Sequence, residues 1–524
     1  MSPSFWRTAA QYIKARLHPA TRALLVLVAG TLALRLLFAA SLGLGIDESY
    51  TAATARQQPQ LAYFDHPPAT WWLAWAAGTL FGSQSPIALR LPFLLLFGLS
   101  TWLMFALTRR LFGAKAAIWA ATTLNLAPVL AWTSGTWVVP DGPLNTALLA
   151  GTVCIAEALF GKGKSAWLWW LAAGVCGGVA LLCKFHGTFL FVGVGLFLLT
   201  QTAHRKWLVS PWPYASGVVA LLIFLPVLVW NEQHGWVSLA FQASRARHHA
   251  FDPSGPIVAV AGQALYLLPW IWLPLVMCLV KAAVRGPADQ PRWLMACLAI
   301  GPIATFTLVG FTGNRILPHW AAPGYLMLFP LLGAHVAEGL ASARPRVRTW
   351  LITSALSMAV VLAGVIALTW LPWPVFTLPD GRRLPYPLIE SLDWTNLMPE
   401  LASRGLLGAP GLFIVATRWH EAGKIDYALR GQMPVVCLSL DPRNYGVLKQ
   451  PRAYLGQDAL IVGRNLSPER IDATYGAYFA SIERLPPITI THGGAPMFDL
   501  SVFLAHSLHS TGAQPNLLDP LSLK

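Results

Sequence analysis

The chain has 524 residues, of which 55% are hydrophobic and 11% are charged, whereas a soluble protein of this size carries about a quarter charged residues. The net charge of +15 arises in residues 1–371, which hold 24 Lys and Arg against 9 Asp and Glu, since residues 372–524 hold 13 of each. The basic residues lie in short loops between apolar runs. This pattern indicates a membrane protein and argues against a nucleic-acid partner, which would require a basic, aromatic-rich soluble surface.

The six cysteines form no recognisable set of cross-links or ligands. Five of them fall in apolar runs, Cys437 stands apart in the C-terminal part, and no C-x-x-C spacing occurs. The sequence therefore indicates neither structural zinc nor disulfide redox chemistry.

Apolar runs of membrane-spanning length recur along residues 1–371. A bilayer core about 30 Å thick needs about 20 apolar residues in a helix, and many of the 24 tryptophans lie at the ends of such runs, as in interfacial aromatic belts. The first run follows a basic N-terminal stretch and is too long for a signal-peptide core, which predicts a retained helix with a cytoplasmic N-terminus. Examples of the runs are Ala23–Leu42, Ile87–Leu107, Trp167–Cys183, Trp212–Trp230 and Trp350–Leu371.

Loop charges predict how the spans are oriented, because cytoplasmic loops carry an excess of Lys and Arg. Basic loops follow the second, fourth, sixth, eighth and tenth runs, and the intervening loops hold nearly all the acidic residues of this region. The alternation predicts about eleven spans and a C-terminal part on the non-cytoplasmic side. The acidic residues of these intervening loops are Asp47, Glu48, Asp65, Asp141, Glu232 and Asp252.

Two regions depart from a simple bundle. Residues 43–85, here called the first loop, include a stretch, Tyr50–Gln58, that looks helical but is too polar to span, which predicts helices along the membrane surface. Residues 372–524 alternate strand-like segments with turns and helical pieces, which predicts a small α/β domain. The predicted fold class is a polytopic α-helical membrane protein with a transmembrane domain of residues 1–371 and this C-terminal domain. The strand-like segments are Leu412–Ala416, Val435–Leu440 and Ala459–Val462.

The first loop holds the most informative polar cluster. Asp47 and Glu48 follow the first span directly, and Tyr63, Asp65 and His66 precede a rigid Pro-Pro pair. A carboxylate at the membrane boundary is costly unless it is paired or functional, although Asp47 is equally able to cap the helix that begins beside it. The second carboxylate and the histidine favour a site.

Asp141 lies in a Pro-Asp-Gly sequence, where the third span returns to the membrane. Such a sequence is typical of a turn, and on its own the turn is the stronger interpretation. The predicted topology puts Asp141 on the same side as Asp47, Glu48 and Asp65, which favours a place in the same site.

The non-cytoplasmic side also carries cations, against the positive-inside rule. Arg and Lys pair well with phosphate oxygens, so a lipid-linked phosphate would explain them. Headgroup binding or snorkelling of single side chains is the alternative. The cations are Lys184, His186, Arg245, Arg247, His248, His249, Arg315 and His319.

Cofactor and nucleotide sites are not indicated. His66 and the pair His248-His249 raise the alternative of a metal site, but no spacing matches a known ligand set. We therefore expect no metal or other cofactor, with a divalent ion left as an alternative that the sequence does not signal. No Gly-rich phosphate loop follows a strand, so the cytoplasmic domain that an enzyme using nucleotide sugars would need is missing.

Eight short motifs rich in charged, aromatic and proline residues lie near the ends of the predicted spans. They are Asp47-Glu48, Tyr63–Pro68, Arg90–Pro92, Arg109–Gly113, Pro140–Leu144, Leu182–Phe185, Trp230–Trp236 and Pro318–Tyr325. In this order they resemble the GT-C glycosyltransferases, specifically glycosyltransferase family 39 and its bacterial relatives, the aminoarabinose and galacturonic acid transferases of lipopolysaccharide and the protein O-mannosyltransferases. The resemblance covers residues 20–345 well and the tail loosely. It implies a GT-C fold, a polyprenyl-phosphate sugar donor and inversion at the anomeric carbon.

The resemblance also implies roles for individual residues. Asp47 matches the acidic residue after the first helix that such enzymes use as catalytic base, and Lys184 matches a basic position near the donor phosphate. Asp65 and His66 stand where the aminoarabinose transferases have Glu-Lys before Pro-Pro. This departure leaves the role of His66 open and points to a different sugar or acceptor.

The chemistry expected from the residues is consistent with these roles. Inverting transfer needs one carboxylate to take a proton from the acceptor as it attacks, and a phosphate leaving group needs cations instead of an acid. A hydrolase would instead use two carboxylates on opposite faces of the sugar. We predict Asp47 as the base, with Glu48 or Asp65 orienting the base or the acceptor. We expect Tyr63, His66 and Asp141 to line the acceptor site, and Lys184, Arg245, Arg247 and Arg315 to hold the donor phosphate.

The sequence thus predicts a glycosyltransferase of the bacterial inner membrane. It would move a sugar from undecaprenyl phosphate, or a similar carrier, to lipid A or another envelope glycolipid on the periplasmic face, where the C-terminal domain would lie. Membrane lipids are expected partners and nucleic acid is not. The alternatives are a protein hydroxyl as acceptor, a transporter, which would place ionisable residues near the midplane in inverted repeats, and a scaffold, which would not need the acidic cluster.

Overall fold

The structure is a computed structural model that describes residues 19–56, 59–163, 165–245, 250–314, 316–370, 386–510 and 517–518. The chain forms two compact units. The helical unit contains the residues up to Leu37, Leu91–Val229 and Ala243–Leu362. The sheet unit contains Phe38–Arg90, Trp230–Gln242 and the residues from Ala363 onward, so it unites the first loop with the C-terminal domain. The predicted boundary at 371/372 lies outside the described residues and stays a prediction.

Helices make up most of the described chain, and the long apolar ones among them confirm the predicted polytopic fold. Eight of the described helices are long and apolar enough to cross a membrane, or ten spans if two bent helix pairs each count as one. Five of the eight begin at a proline, whose fixed φ and missing N–H suit a first helical turn. The eight are Pro19–Ser41, Pro86–Phe112, Asp141–Phe160, Ala166–Cys183, Pro211–Gln233, Pro269–Ala288, Gln290–Thr312 and Pro345–Trp370, and the bent pairs are Phe185–Thr200 with Thr202–Val209 and Pro318–Leu326 with Phe329–Ala341.

The predicted third span is taken by a broken helix. Ala114–Asn125 is followed by a π-helical turn, Val129–Thr133, and the proline between them has no N–H with which to continue the ladder. The buried Arg35 side chain donates from Nε to the Ala131 carbonyl oxygen and from Nη2 to Asn125 Oδ1, both at 2.9 Å. An arginine thus satisfies the irregular backbone, as burial in an apolar region requires.

The C-terminal domain is built on a mixed sheet, whose described strands are Leu412–Ala416 (β1), Val435–Cys437 (β2), Asp458–Arg464 (β3), Phe479–His492 (β4) and Ala495–Leu508 (β5). Their order is β2-β1-β3-β5-β4, in which β2, β1 and β3 are parallel and β5 pairs antiparallel with β3 and β4. The predicted strand-like segments correspond to β1, β2 and β3, although β2 ends at Cys437 and not at Leu440. Neither β4 nor β5 is predicted from the sequence. β4 carries Pro486-Pro487 at a shift of register, which hides its strand pattern.

The predicted helical stretch after the first span is the helix Ile46–Ala55. Eight of its ten residues are buried, and Gly423 of the helix Trp419–Ala428 lies against it. A Cβ added at Gly423 would be 2.7 Å from Tyr50 Cα, so only glycine permits this approach. The C-terminal domain therefore packs directly on the first loop, and a position along the membrane surface stays a prediction. The other helices of the sheet unit include Ala69–Leu80, Leu397–Ser403, Asn444–Leu448 and Pro468–Tyr475.

Candidate active site

The helix Ile46–Ala55 begins with a glutamate cap. Gly45 is the N-cap residue, and Glu48 Oε2 accepts a hydrogen bond from the Gly45 N–H at 2.8 Å, which is one half of a capping box. Helix capping is the alternative role that the sequence indicates for Asp47. In the structure the capping side chain is Glu48. Asp47 lies in the same first turn, where the helix dipole favours a carboxylate.

Glu48 is also held by a buried arginine. Arg90 Nε lies 2.8 Å from Glu48 Oε1, and Arg90 Nη2 lies 2.6 Å from Glu48 Oε2. The remaining three N–H groups of Arg90 donate to the carbonyl oxygens of Ala39, Leu42 and Gly43, at 2.7–2.9 Å. All five guanidinium donors are thus used, and they tie the end of the first long helix to the helix that carries Asp47.

Asp65 is buried and doubly bound. Arg443 Nη1 lies 3.0 Å from its Oδ2, and the Tyr50 hydroxyl donates to its Oδ1 at 3.3 Å. The Tyr50 hydroxyl in turn accepts a hydrogen bond from the backbone N–H of Asn444 at 3.0 Å. A side chain of the C-terminal domain therefore neutralises the Asp65 carboxylate. Gln242 Nε2 donates to the Asp65 backbone carbonyl.

Asp47 differs from these two carboxylates because it is accessible. Its side chain is exposed whereas the eight residues after it are buried, and among the described residues none forms a hydrogen bond or ion pair with its carboxylate. The loss of hydration among the surrounding protein atoms nevertheless raises the pKa of Asp47 to about 6; Arg443 opposes the rise, and Asp65, Glu390 and Glu48 add to it. An accessible but crowded carboxylate with this pKa is suited to exchange a proton with a bound molecule near neutral pH.

Tyr63 and His66 lie against an aromatic side chain of the next helix. The Tyr63 ring stacks on Trp71 with centroids 4.6 Å apart, and the His66 ring lies 6.1 Å from Trp71. The Tyr63 hydroxyl accepts from the Gln60 N–H at 3.4 Å, and burial raises the pKa of Tyr63 to about 12. Tyr63 therefore stays a neutral, fixed group, consistent with a wall of a site and not with an acid or base.

Asp141 and Lys184 form an ion pair inside the helical unit. Lys184 Nζ lies 3.0 Å from Asp141 Oδ1, and both side chains are mostly buried. Lys184 is the C-cap residue of the helix Ala166–Cys183, and its backbone is extended instead of helical. Asp141 begins the helix Asp141–Phe160, at the positive end of its dipole. The Pro-Asp-Gly sequence thus opens a helix, and its aspartate orients a lysine.

Histidine and arginine side chains of the helical unit lie near this pair. His186 and His319 both interact electrostatically with Asp141, and Arg245 interacts with His319. The Arg245 guanidinium also lies 5.7 Å from the Trp320 ring centroid. The structure therefore brings together the described members of the predicted cationic set. The remaining members, Arg247, His248, His249 and Arg315, lie outside the described residues.

The described residues hold no group of three or more His, Cys, Asp or Glu side chains arranged to bind a metal ion. Sequence reasoning misses the main partners of the carboxylates. Arg90 stands in a motif of the resemblance but has no predicted role, and Arg443 contacts Asp65 from 378 residues away, a separation that no local pattern reports.

Comparisons with known proteins agree with this fold. A family model described as dolichyl-phosphate-mannose-protein mannosyltransferase matches residues 65–230, and no curated protein matches the chain in sequence. The solved structure of ArnT from Cupriavidus metallidurans in the apo state is 16% identical, with a TM-score of 0.63 over 93% of this chain and 98% of that one. The structure of ArnT bound to undecaprenyl phosphate is 17% identical, with a TM-score of 0.62 over 91% and 97% of the two chains.

A more distant structure has a related fold. The oligosaccharyltransferase of Archaeoglobus fulgidus in the apo form is 13% identical, with a TM-score of 0.51 over 86% of this chain and 70% of that one. These structures confirm the predicted GT-C fold, and together with the family model they make the chain similar to the GT-C glycosyltransferases.

Proposed function

We propose that the chain is an inverting glycosyltransferase that takes a sugar from a polyprenyl phosphate of the undecaprenyl type. The observation that carries the proposal is the accessible Asp47 carboxylate, with its pKa raised to about 6, at the start of the first-loop helix. The proposal is further supported by the ArnT structure with bound undecaprenyl phosphate, which has a similar fold.

The proposed reaction uses Asp47 as a general base. Its carboxylate takes the proton from the acceptor hydroxyl while the hydroxyl oxygen forms a bond to the anomeric carbon. The bond from that carbon to the carrier phosphate breaks on the opposite face, the electron pair leaves with the phosphate, and the configuration inverts. The phosphate is a stable anion, so it leaves without protonation and needs only positive charge to stabilise it.

Positive charge for the donor phosphate is proposed to come from Lys184 and Arg245, with Arg247 and Arg315 as further candidates. Lys184 is supported by its ion pair with Asp141, which fixes the direction of a long, flexible side chain. We therefore propose that Asp141 acts through Lys184, a more specific role than the lining of an acceptor site that the sequence predicts.

The other first-loop residues are proposed to support Asp47. Glu48 has both oxygens engaged by Arg90 and the Gly45 N–H, which favours a structural role over contact with the acceptor. Asp65 is likewise paired, and it acts on Asp47 by charge. Tyr63 and His66 are proposed to line the acceptor site.

The favoured acceptor is lipid A or another envelope glycolipid on the periplasmic face of a bacterial inner membrane, with the N-terminus in the cytoplasm and the C-terminal domain in the periplasm. The apolar helices and the alternating loop charges support this placement. A protein hydroxyl is the second candidate acceptor, and the description of the matching family model as a protein mannosyltransferase favours it.

Mass spectrometry of envelope glycolipids tests the proposal in cells that carry the unchanged protein, no protein, Asp47→Asn or Asp472→Asn. Asp472 is an exposed carboxylate of the C-terminal domain and serves as the matched control. We expect a sugar-sized mass that is present with the unchanged protein and Asp472→Asn and absent from the other two strains. Loss from glycoproteins instead of glycolipids would establish the protein acceptor. Identical glycolipids and glycoproteins in all four strains would contradict the proposed activity.

A further inference from the structure

Two side chains of the C-terminal domain form hydrogen bonds with the backbone just before Asp47. Lys424 Nζ donates to the carbonyl oxygen of Leu44, and Asp393 Oδ1 accepts from the Leu44 N–H at 3.0 Å. Both polar groups of this residue, three positions before Asp47, are therefore bound by side chains of the C-terminal domain. Lys424 also donates to the Leu392 carbonyl oxygen at 2.9 Å, which joins the contact to the domain's own backbone.

A second set of hydrogen bonds and an ion pair connects the C-terminal domain to the segment around Asp65. The side-chain oxygen of Asn444 accepts from the Phe64 N–H at 2.6 Å, and the Asn444 N–H donates to the Tyr50 hydroxyl. Arg443, the residue before Asn444, pairs with Asp65 at 3.0 Å. Two consecutive residues of the C-terminal domain thus meet both halves of the first loop.

Arg443 is held in place by more than its ion pair. Its guanidinium lies 3.8 Å from the Trp419 ring centroid, a cation–π contact, and 5.8 Å from the Phe241 ring centroid. Asp441 Oδ2 lies 3.8 Å from Arg443 Nε. The guanidinium is therefore fixed by aromatic faces and by carboxylates, and the Arg443 side chain as a whole remains 17% exposed.

The backbone of Arg443 is strained. Its φ of 48° and ψ of −131° fall in a region that favours glycine. Another residue keeps this backbone conformation only when the surrounding contacts hold it there. This conformation places the Arg443 side chain and the following Asn444 N–H on Asp65 and Tyr50. The strain therefore coincides with the two contacts that reach the first loop.

We propose that Arg443 is a positioning residue of the candidate active site, which holds Asp65 by a direct ion pair and sets a fixed positive charge near Asp47. The inference rests on the proposed function only in that Asp47 is the base. It gives the C-terminal domain a part in catalysis, since the domain completes the electrostatic environment of a residue in the first loop.

The charges that act on Asp47 have different signs. Arg443 lowers the pKa of Asp47, whereas Asp65, Glu390 and Glu48 raise it. Removing the positive charge of Arg443 leaves the three carboxylates unopposed, so the pKa of Asp47 must rise. A base with a higher pKa is protonated over a wider range, and the acidic limb of the pH–rate profile must move to higher pH.

Carboxyl footprinting tests this directly, because it needs no substrate. The purified full-length protein is treated with a water-soluble carbodiimide and an amine at a series of pH values, and labelling of Asp47 is measured by mass spectrometry. The variants are Arg443→Gln, Arg443→Lys and the control Arg470→Gln, which removes an exposed arginine of the same domain. Each variant is first compared with the unchanged protein in thermal unfolding.

We expect the pH midpoint of Asp47 labelling to move upward by up to about one pH unit in Arg443→Gln. It should stay nearer the original value in Arg443→Lys, which keeps the charge, and be unchanged in Arg470→Gln. If Arg443→Gln unfolds early, the double variant Asp65→Asn with Arg443→Gln, which replaces the ion pair with two amides, provides the second measurement. It should still show an upward midpoint, because Arg443 has the larger effect of the pair on Asp47.

An unchanged midpoint in a folded Arg443→Gln protein, or in the folded double variant, would overturn the inference. The pH–rate profile of transfer separates this result from failure of the proposed function. If the unchanged protein transfers sugar and Arg443→Gln has the same acidic limb, the positioning role is wrong and the activity stands. If the midpoint shifts while no variant or parent transfers sugar, the positioning role stands and the proposed activity is wrong.

Discussion

The carboxylates of the first loop and the carboxylate of Asp141 differ in their burial and in their ion pairing. In the helical unit, Asp141 is matched by one lysine at 3.0 Å in mostly buried surroundings. In the sheet unit, Glu48 and Asp65 are buried and paired with arginines, whereas Asp47 is exposed and, among the described residues, unpaired. A paired carboxylate maintains structure and an accessible one is available for proton transfer. The comparison is therefore consistent with the proposed supporting role of Asp141 and the proposed chemical role of Asp47.

The largest expected effect on stability is at the Glu48–Arg90 pair. Glu48→Gln leaves the buried Arg90 charge uncompensated, and breaking a buried pair in this way costs about 3–5 kcal/mol. Unfolding in detergent, followed by heat or denaturant, measures the loss. Asp47→Asn is the matched control one residue away, and we expect no loss of stability from it, because the folded protein disfavours the charge that this substitution removes. Equal losses for the two variants would remove the distinction between paired and accessible carboxylates.

A smaller loss of stability is expected at Asp141. Asp141→Asn keeps the shape of the side chain but removes the charge that Lys184 Nζ contacts, and hydrogen bonds to charged groups contribute about 1.5–3 kcal/mol. The same unfolding measurement should place this variant between Glu48→Gln and Asp47→Asn. A variant as stable as the parent protein would mean that Lys184 does not depend on Asp141 for its position.

The contact between Gly423 and Tyr50 tests whether packing of the C-terminal domain on the first loop sets the position of Asp47. In Gly423→Ala the new Cβ would lie 2.7 Å from Tyr50 Cα, so the two helices must separate, and such overpacking costs about 1–3 kcal/mol. The control is Gly364→Ala, since a Cβ at Gly364 meets nothing within 4 Å. Unfolding and transfer are both measured. Loss of transfer in Gly423→Ala but not in the control is expected if the C-terminal domain sets the position of Asp47.

The pH dependence of transfer gives a further prediction. Asp47 accepts a proton only when it is deprotonated, and its pKa is raised to about 6. The rate should therefore be on a plateau above this pH and fall about tenfold for each pH unit below it. Initial rates of transfer between pH 4.5 and 8 measure the limb. A plateau that continues to pH 4.5 would show that no base with this pKa limits the reaction.

Much of the fold could be predicted from the sequence. Apolar length and loop charge depend on local composition, so the long helices and β1 to β3 follow from the pattern. The broken third span is harder, because its irregular turn is stabilised by Arg35, which lies far from it in the sequence. β4 escapes prediction because Pro486-Pro487 interrupts it at a shift of register.

The sequence predicts which residues belong to the candidate site better than it predicts which side chains pair with them. Asp47, Asp65 and Lys184 can be chosen because charge is expensive at a membrane boundary. Which carboxylate is free depends on contacts across the chain, such as Arg90 with Glu48 and Arg443 with Asp65. No spacing in the sequence reports these pairs, so before the structure was known only the family resemblance distinguished Asp47 from Glu48 and Asp65.

The central claim is that Asp47 is the base, and the most direct test is the rate of sugar transfer by purified Asp47→Asn. The assay follows consumption of the polyprenyl-phosphate sugar in the presence of the acceptor identified by mass spectrometry, with Asp472→Asn as control. We predict that Asp47→Asn is no less stable than the parent protein but transfers sugar about 10²–10⁴ times more slowly, the usual contribution of a general base, while Asp472→Asn keeps the parent rate. Transfer at the parent rate by a folded Asp47→Asn protein would contradict the account.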